Sequence, residues 1–349
     1  VVRGELVAVG DDYGDERLTE ITDSQEDLTM EDLIQEQDMV VTLSKGGYAK
    51  TQPIDTYRAQ RRGGRGKMAS SLKEEDYIER LMVANTHDTI LCFTNLGKVF
   101  WLRVFQIPPA GRAARGRPLV NILPLDDEER ITAMLPIDEY REDRYIFMAT
   151  SNGTVKKTPL MEFSRKRSTG LIAIELELDN TLIGAAITDG TKDVMLFGNH
   201  GKVIRFKESD VRAMGRTARG VRGIKLGAKQ KVISLMIPDE AGQVLVSSRN
   251  GYGKRSSFED FPVIGRGGQG VIGMKMSERN GAVVAATQIF EADEAIFISD
   301  QGTLVRIRAE DVSLQGRNTQ GVRLINLSKK EYLVGMAQVQ EPKQKESEE

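Results

Sequence analysis

The chain has 349 residues, with 49 Lys+Arg against 51 Asp+Glu, two His, one Cys and one Trp. One cysteine, Cys92, excludes a disulfide framework, and His87 and His200 leave no Cys/His cluster of the kind a structural zinc site needs. The longest apolar runs are about five residues, far short of the ~20 that span a bilayer, and the start Val-Val-Arg-Gly lacks a signal-peptide layout. A soluble, non-secreted protein of a reducing compartment is expected, without a membrane partner. The net charge of -2 conceals a strong asymmetry. Residues 1–38 sum to -11 and residues 341–349 to -2, which leaves +11 on residues 39–340. A basic body between acidic ends is the footprint of a polyanion binder, although a solvated surface with an acidic linker would give the same totals.

In chain order, residues 1–36 form an acidic segment, and the compositions of Asp27 to Gln37 and Glu74 to Met82 are compatible with helix. From residue 37 one pattern recurs six times: an apolar run, a turn with glycine, a basic or β-branched run, then a second glycine in a basic setting. The runs are Met39 to Leu43, Thr89 to Phe93, Arg144 to Met148, Asp193 to Phe197, Gln243 to Ser247 and Ala295 to Ser299. The turn glycines that follow are Gly47, Gly97, Gly153, Gly201, Gly251 and Gly302, and the second glycines are Gly66, Gly116, Gly170, Gly220, Gly270 and Gly321. The second lies 19 residues after the first in every unit but the third, where the spacing is 17.

Turn dipeptides such as Asn152-Gly153 and Asn250-Gly251 between apolar, β-branched runs are a hairpin signature. In Val203 to Lys207 and Leu304 to Arg308 apolar and basic residues alternate, which predicts one buried face and one charged face toward solvent. A hairpin-sized unit cannot bury an apolar face alone. Six units closing radially can, so the predicted fold is all-β and propeller-like, with six blades of about four antiparallel strands. An open solenoid of the same blades is the alternative. The expected blades lie near residues 38–70, 88–123, 143–176, 193–226, 242–276 and 294–327, within a domain of residues 37–340 that is followed by a short acidic tail at 341–349.

Aligned on the second glycine, the residue four positions earlier is basic in all six units: Arg62, Arg112, Lys166, Arg216, Arg266 and Arg317. Around these fall Arg115 and Arg117, Arg165 and Arg167, Arg219 and Arg222, and Arg323. Repetition puts equivalent residues at equivalent points of each blade, so a ring would close these charges into a belt suited to the regular phosphates of duplex DNA. The preference for Arg fits phosphate recognition by a planar fork, and an aromatic content of 6% argues against base-stacking platforms. Structural ion pairs between blades are the competing explanation for the same cations. The first unit carries the densest cluster, Gln60-Arg61-Arg62-Gly63-Gly64-Arg65-Gly66-Lys67, whose composition suits either a phosphate-wrapping loop or a basic linker.

That segment resembles the box motif of the carboxy-terminal domain of DNA gyrase A subunits. The similarity extends through Ile78 to Leu81, Ala84 to Asp88, Gly153 to Thr158, Val211 to Gly215 and Gly316 to Val322. The resemblance implies a β-pinwheel, a six-bladed propeller variant whose blades exchange a strand. It also implies a role in wrapping duplex DNA with fixed handedness so that the complete enzyme can introduce negative supercoils using ATP. Implied partners are the gyrase B subunit and the amino-terminal cleavage portion of the same polypeptide, in an A2B2 enzyme of the bacterial cytoplasm and nucleoid. In that family the box is required for supercoiling, and residues 1–36 resemble the exit from the cleavage portion. A topoisomerase IV subunit is the near relative, with a degraded box and fewer blades as a rule.

No catalytic residue, metal site or cofactor is expected within the chain. Gly265 to Gly270 fits the dinucleotide pattern G-x-G-x-x-G but falls on the repeat's own loop, and Lys67 is followed by Met68, unlike a phosphate-binding P-loop. ATP and magnesium would be handled by the rest of the enzyme, as would the nucleophilic tyrosine, since Tyr145 opens an apolar run. A protein-interaction propeller and a propeller hydrolase with a central carboxylate or histidine cluster complete the alternatives.

Overall fold

The computed structural model describes residues 1–14, 31–54, 78–111, 114–239, 241–301 and 303–339. The box, residues 60–67, and Arg112 lie outside the described residues. The chain divides into two compact units, Val1–Gln35 and Glu36–Glu349. In the first, one helix, Val2–Tyr13, has no buried residue. Among the described residues no helix is long and apolar enough to cross a membrane.

The second unit is built of antiparallel sheets. The first contains β1 (Asp38–Ser44), β2 (Tyr48–Pro53) and β3 (Ile78–Asn85). The second repeat supplies β4 (Thr89–Thr94), β5 (Lys98–Arg103), β6 (Arg117–Pro118) and β7 (Ile131–Ile137). The third supplies β8 (Tyr145–Thr150), β9 (Thr154–Pro159), β10 (Leu171–Ile172) and β11 (Leu182–Thr188). The fourth follows with β12 (Asp193–Gly198), β13 (Lys202–Lys207), β14 (Val221–Arg222) and β15 (Val232–Met236). The fifth has β16 (Gln243–Ser248), β17 (Tyr252–Ser257), β18 (Val271–Ile272) and β19 (Val283–Ile289). The last has β20 (Glu294–Ser299), β21 (Leu304–Arg308), β22 (Val322–Arg323) and β23 (Leu333–Val339).

The short strand of each of the second to sixth repeats leaves its own blade. The sheets run β3-β1-β2-β6, β7-β4-β5-β10, β11-β8-β9-β14, β15-β12-β13-β18 and β19-β16-β17-β22, so the outermost strand of every one of these sheets comes from the following repeat. The sixth sheet, β23-β20-β21, has three strands among the described residues, one fewer than the sequence suggests, because β22 pairs in the fifth sheet and no described strand of another repeat completes the sixth. The innermost strands pack in succession, β7 on β11, β11 on β15, β15 on β19 and β19 on β23, and β23 also reaches β3. The first and last blades are thus neighbours in a propeller-like arrangement of six blades, and the open solenoid is set aside.

The core lies between blades. Ile90 and Cys92 of β4 join a cluster with Val41 and Leu43 of β1, whereas their neighbours Leu91 and Phe93 join Ile146 and Met148 of β8. Successive side chains of a strand point to opposite faces, so the middle strands are apolar on both and read as unbroken hydrophobic runs. The same division repeats at β12, where Val194 and Leu196 face the third blade and Met195 and Phe197 the fifth. Burying each such side chain stabilises by about 1.5–3 kcal/mol.

Three local readings of the sequence are corrected. Ile78 to Met82 belongs to β3, not to a helix, because pairing of Val83, Met82 and Leu81 with Val40, Val41 and Thr42 outweighs local propensity. Residues 31–34 form turns and 35–37 have no regular secondary structure, instead of the helix expected there. Alternation in β13 does not deliver Arg205 to solvent: its side chain is 15% exposed and is bound by Asp193 at 2.7 Å. In β21, at the edge of its sheet among the described residues, the pattern holds, with Arg306 and Arg308 exposed.

Candidate nucleic-acid interface

The segment between the second long strand and the short donated strand is built alike in successive repeats: a 3-10 turn, a loop carrying the basic residues, then the second glycine. Two features of the preceding blade hold it down. The carbonyl of the turn glycine accepts a backbone N–H from the donated segment in five repeats. The pairs are Leu119 to Gly47, Ala173 to Gly97, Gly223 to Gly153, Gly273 to Gly201 and Leu324 to Gly251, all at 2.8 Å. The second glycine passes so close to the preceding blade that a side chain would collide. A Cβ on Gly270 would stand 2.3 Å from the Val203 carbonyl oxygen and one on Gly116 2.3 Å from that of Ala49, while φ is +73° and +88°. Both the left-handed backbone and the close approach require glycine, which accounts for its recurrence.

The fourth residue after the turn glycine then fastens the 3-10 turn of the next blade. Thr51 Oγ1 donates to the Ile107 carbonyl at 3.1 Å, Trp101 Nε1 to that of Phe163 at 2.9 Å and Lys157 Nζ to that of Glu208 at 3.3 Å. Arg205 Nη1 donates to the Phe258 carbonyl and Arg255 Nε to the Val312 carbonyl, both at 2.8 Å. Four residue types thus perform one task, which is why the residues themselves show no repeat at this position.

With the loops tied down, the described basic residues of the second to sixth repeats stand along the outer edges of the blades. Arg115, Arg117, Arg165, Lys166, Arg167, Arg219, Arg222, Arg266 and Arg323 are exposed, and Arg216 and Arg317 are half-buried. The aligned basic position does more than face solvent. Lys166 Nζ donates to Thr89 Oγ1 at 3.3 Å, and Arg266 reaches the carbonyls of Asp210 and Arg222 at 2.9 and 3.0 Å. Arg317 donates to the Ile272 carbonyl at 3.0 Å, and Arg216 lies 3.7 Å from Glu162. Each contact reaches a residue of the preceding repeat, so the ties between repeats and the exposed belt are made by the same side chains. Most acceptors are carbonyls, which leave the cationic charge unneutralised. Carboxylate pairing occurs at Arg219, 3.0 Å from Glu175, and at Arg216.

Two tyrosines occupy the position after the turn glycine and carry stacked guanidiniums. Arg115 lies 5.5 Å from the Tyr48 ring centroid, and Arg279 and Arg323 lie 4.7 and 5.5 Å from that of Tyr252. Hydrogen bonds from Arg279 and Arg323 hold the Tyr252 phenol below its usual pKa. Sequence reasoning missed the residues beneath the loops altogether. Lys50, Lys156 and Lys254 are 2%, 0% and 0% exposed. Alignment on the first glycine would have revealed them, since each stands three residues after it, at Gly47, Gly153 and Gly251.

Comparison with known proteins places this architecture. The family described as DNA gyrase C-terminal domain, beta-propeller, matches six times, at residues 38–85, 88–138, 144–189, 192–239, 242–289 and 293–340. The DNA gyrase A subunit of Pseudomonas aeruginosa is 55% identical over 385 residues, covering 98% of this chain and 42% of that protein. Its counterpart in Escherichia coli K12 is 53% identical over 330 residues, covering 95% and 38%. The chain therefore spans about two-fifths of the length of these relatives. Among solved structures, a DNA gyrase A C-terminal domain aligns with TM-score 0.69 at 26% identity, covering 86% of this chain and 99% of that one. A C-terminal domain of DNA topoisomerase IV aligns with TM-score 0.76 at 24% identity, over 88% and 95%, a likeness of fold alone. By sequence along nearly its whole length and by the six-fold repeat, the chain belongs to the DNA gyrase A C-terminal domain family.

Proposed function

We propose that this chain is the non-catalytic, DNA-wrapping portion of a bacterial gyrase A subunit. It binds duplex DNA along the outer edges of its blades, bends it with one handedness, and so enables the complete enzyme to supercoil negatively. The observation that carries the reading is the recurrence of basic side chains on one loop of successive repeats, at Lys166, Arg216, Arg266 and Arg317, each of these loops being followed by a segment whose backbone bonds to the preceding blade. Evenly repeated cations suit a polyanion of even charge spacing, and loops fastened beforehand lose little entropy on contact.

Bending costs a few kcal/mol per roughly 20–30 bp, which phosphate contacts made blade by blade offset. In this proposal the box residues Arg61, Arg62, Arg65 and Lys67 contact DNA as well. ATP, magnesium and the cleavage tyrosine belong to the rest of the enzyme, whose amino-terminal cleavage portion and B subunit are the proposed protein partners in the cytoplasm. The test is equilibrium binding of fluorescent duplexes of increasing length across a salt series. With one or two phosphate contacts per blade, log K should fall against log salt with slope about -5 to -11 on long duplex and less steeply on short ones. No binding of long duplex at low salt would refute the proposal, and a slope independent of length would remove the wrapping.

A further inference from the structure

Beneath the belt the blades are not equivalent. At the third residue after the turn glycine, blades one, three and five carry Lys50, Lys156 and Lys254, while blades two and four carry Phe100 and Ile204. All five are essentially buried. Each ammonium turns toward the loop of the following blade. Lys50 Nζ donates to the carbonyls of Ala114 at 2.9 Å and Gly111 at 3.3 Å. Lys156 Nζ donates to the carbonyls of Ala173 at 2.8 Å and of Arg216. Lys254 Nζ donates to the Gly316 carbonyl at 2.7 Å, the Arg317 carbonyl at 2.5 Å and Thr319 Oγ1 at 3.1 Å. The acceptors include the backbone of Arg216 and Arg317, the aligned basic residues. In the intervening blades the seat is apolar: a Cβ on Gly170 would meet the Phe100 ring at 2.6 Å, and one on Gly268 would meet Ile204 Cδ1 at 3.9 Å.

We infer that Lys50, Lys156 and Lys254 are positioning residues that fix the DNA-contacting loops of blades two, four and six, so that preorganised contacts alternate with apolar-seated ones around the rim. A buried ammonium is costly unless its donors are satisfied; one loop supplies the acceptors named for Lys50 and Lys254, while Lys156 bridges the Arg216 carbonyl of that loop and the Ala173 carbonyl of its own repeat. Lysine with three donors can gather two or three carbonyls of one irregular turn, which an apolar side chain cannot do. Charge-assisted bonds are also about twice as strong as neutral ones, so the loop loses little freedom when phosphate arrives. The lysines themselves are too deeply buried to touch DNA, so their effect on binding passes through Arg216 and Arg317. The inference rests on the DNA-binding reading.

The test uses Lys156→Met with Lys254→Met, and Ile204→Met as the control at the same repeat position in an apolar-seated blade. Hydrogen exchange should accelerate in peptides spanning 212–220 and 314–321 of the double variant but not in 165–170 or 264–270, whereas general destabilisation would act on all four. Each phosphate contact is worth about five-fold in affinity at 0.15 M salt. Losing one contact from each of two loops should therefore weaken binding of long duplex about 25-fold and make the salt slope shallower by about 2, with Ile204→Met unchanged. Wild-type slope and affinity in the double variant, or exchange that rises equally in all four loops, would overturn the inference. Failure of wild-type protein to bind duplex would instead defeat the proposed function. If the double variant does not fold, Lys254→Met alone must accelerate 314–321 selectively and shift the slope by about 1, or the inference is lost.

Discussion

The ties between blades can be weighed by one substitution made at two places in the repeat. Arg255 and Arg306 hold the same position, but Arg255 lies against the sixth blade whereas Arg306 stands on what is, among the described residues, the edge strand of the sixth sheet. Arg255 is 8% exposed, and its Nε donates to the Val312 carbonyl at 2.8 Å, its Nη1 to Gln243 Oε1 at 2.9 Å and its Nη2 to the Glu310 carbonyl at 3.5 Å. Arg255→Ala leaves the Val312 carbonyl and the Gln243 amide without their donor. An orphaned buried polar group costs about 1–3 kcal/mol, and loss of a hydrogen bond from a charged donor is of similar size. Two good bonds and one long one together give about 3–5 kcal/mol. Arg306 pairs with Glu294 where the side chains are 44% and 30% exposed, so Arg306→Ala should cost no more than about 1 kcal/mol. At about 2 °C per kcal/mol for a unit of this size, thermal melting should fall by about 6–10 °C for Arg255→Ala and by less than about 2 °C for Arg306→Ala. Equal shifts in the two variants would refute the claim that this position ties consecutive blades.

Three further outcomes are expected. Gly270→Ala places a Cβ 2.3 Å from the Val203 carbonyl oxygen at φ +73°, so it should cost about 2–4 kcal/mol and free peptides around 264–273 to hydrogen exchange; Gly265→Ala, where a Cβ has open space, should change little. Burial, reinforced by Arg216 near Lys156 and by Arg317 near Lys254, lowers both ammoniums to about 8 from 10.5. The unfolded chain then binds more protons between about pH 8 and 10.5, so these groups make stability rise with pH in that window. By pH 9.5 the gain approaches about 2 kcal/mol per lysine, and the melting gap between wild type and the Lys156→Met, Lys254→Met variant should widen in favour of wild type from pH 7.5 to 9.5; a constant gap would contradict it. Cys92 is fully buried and its thiol is pushed up to about 12, so a thiol reagent should label it only at the rate of unfolding; fast labelling of native protein would show the interface between the first two blades to be open.

The repeat was legible because glycine is demanded at two backbone positions that other residues cannot take, and the apolar middle strands because both their faces are buried. The belt was legible because its loop position recurs with one charge. What was not legible depends on neighbours distant in sequence. Arg205 alternates with apolar residues as a solvent-facing cation would, yet the following blade covers it. Thr51, Trp101, Lys157 and Arg255 make equivalent bonds with different chemistry, so no residue pattern reveals them. The buried lysines were hidden among 49 Lys+Arg that are mostly on the surface, and only alternation by blade distinguishes them. Helix-compatible composition at residues 78–82 gave way to pairing with β1, a contact about forty residues away.

Chiral wrapping leaves a topological signature in closed-circular DNA. The protein is incubated with relaxed closed-circular plasmid, a type I topoisomerase is added, protein is removed, and linking number is read on chloroquine gels. A protein-dependent positive shift that disappears in Arg61→Ala, Arg62→Ala, Arg65→Ala protein, with substantial affinity retained, is the predicted result. Binding to the plasmid without any shift in linking number would contradict wrapping of fixed hand and leave only tethering or bending.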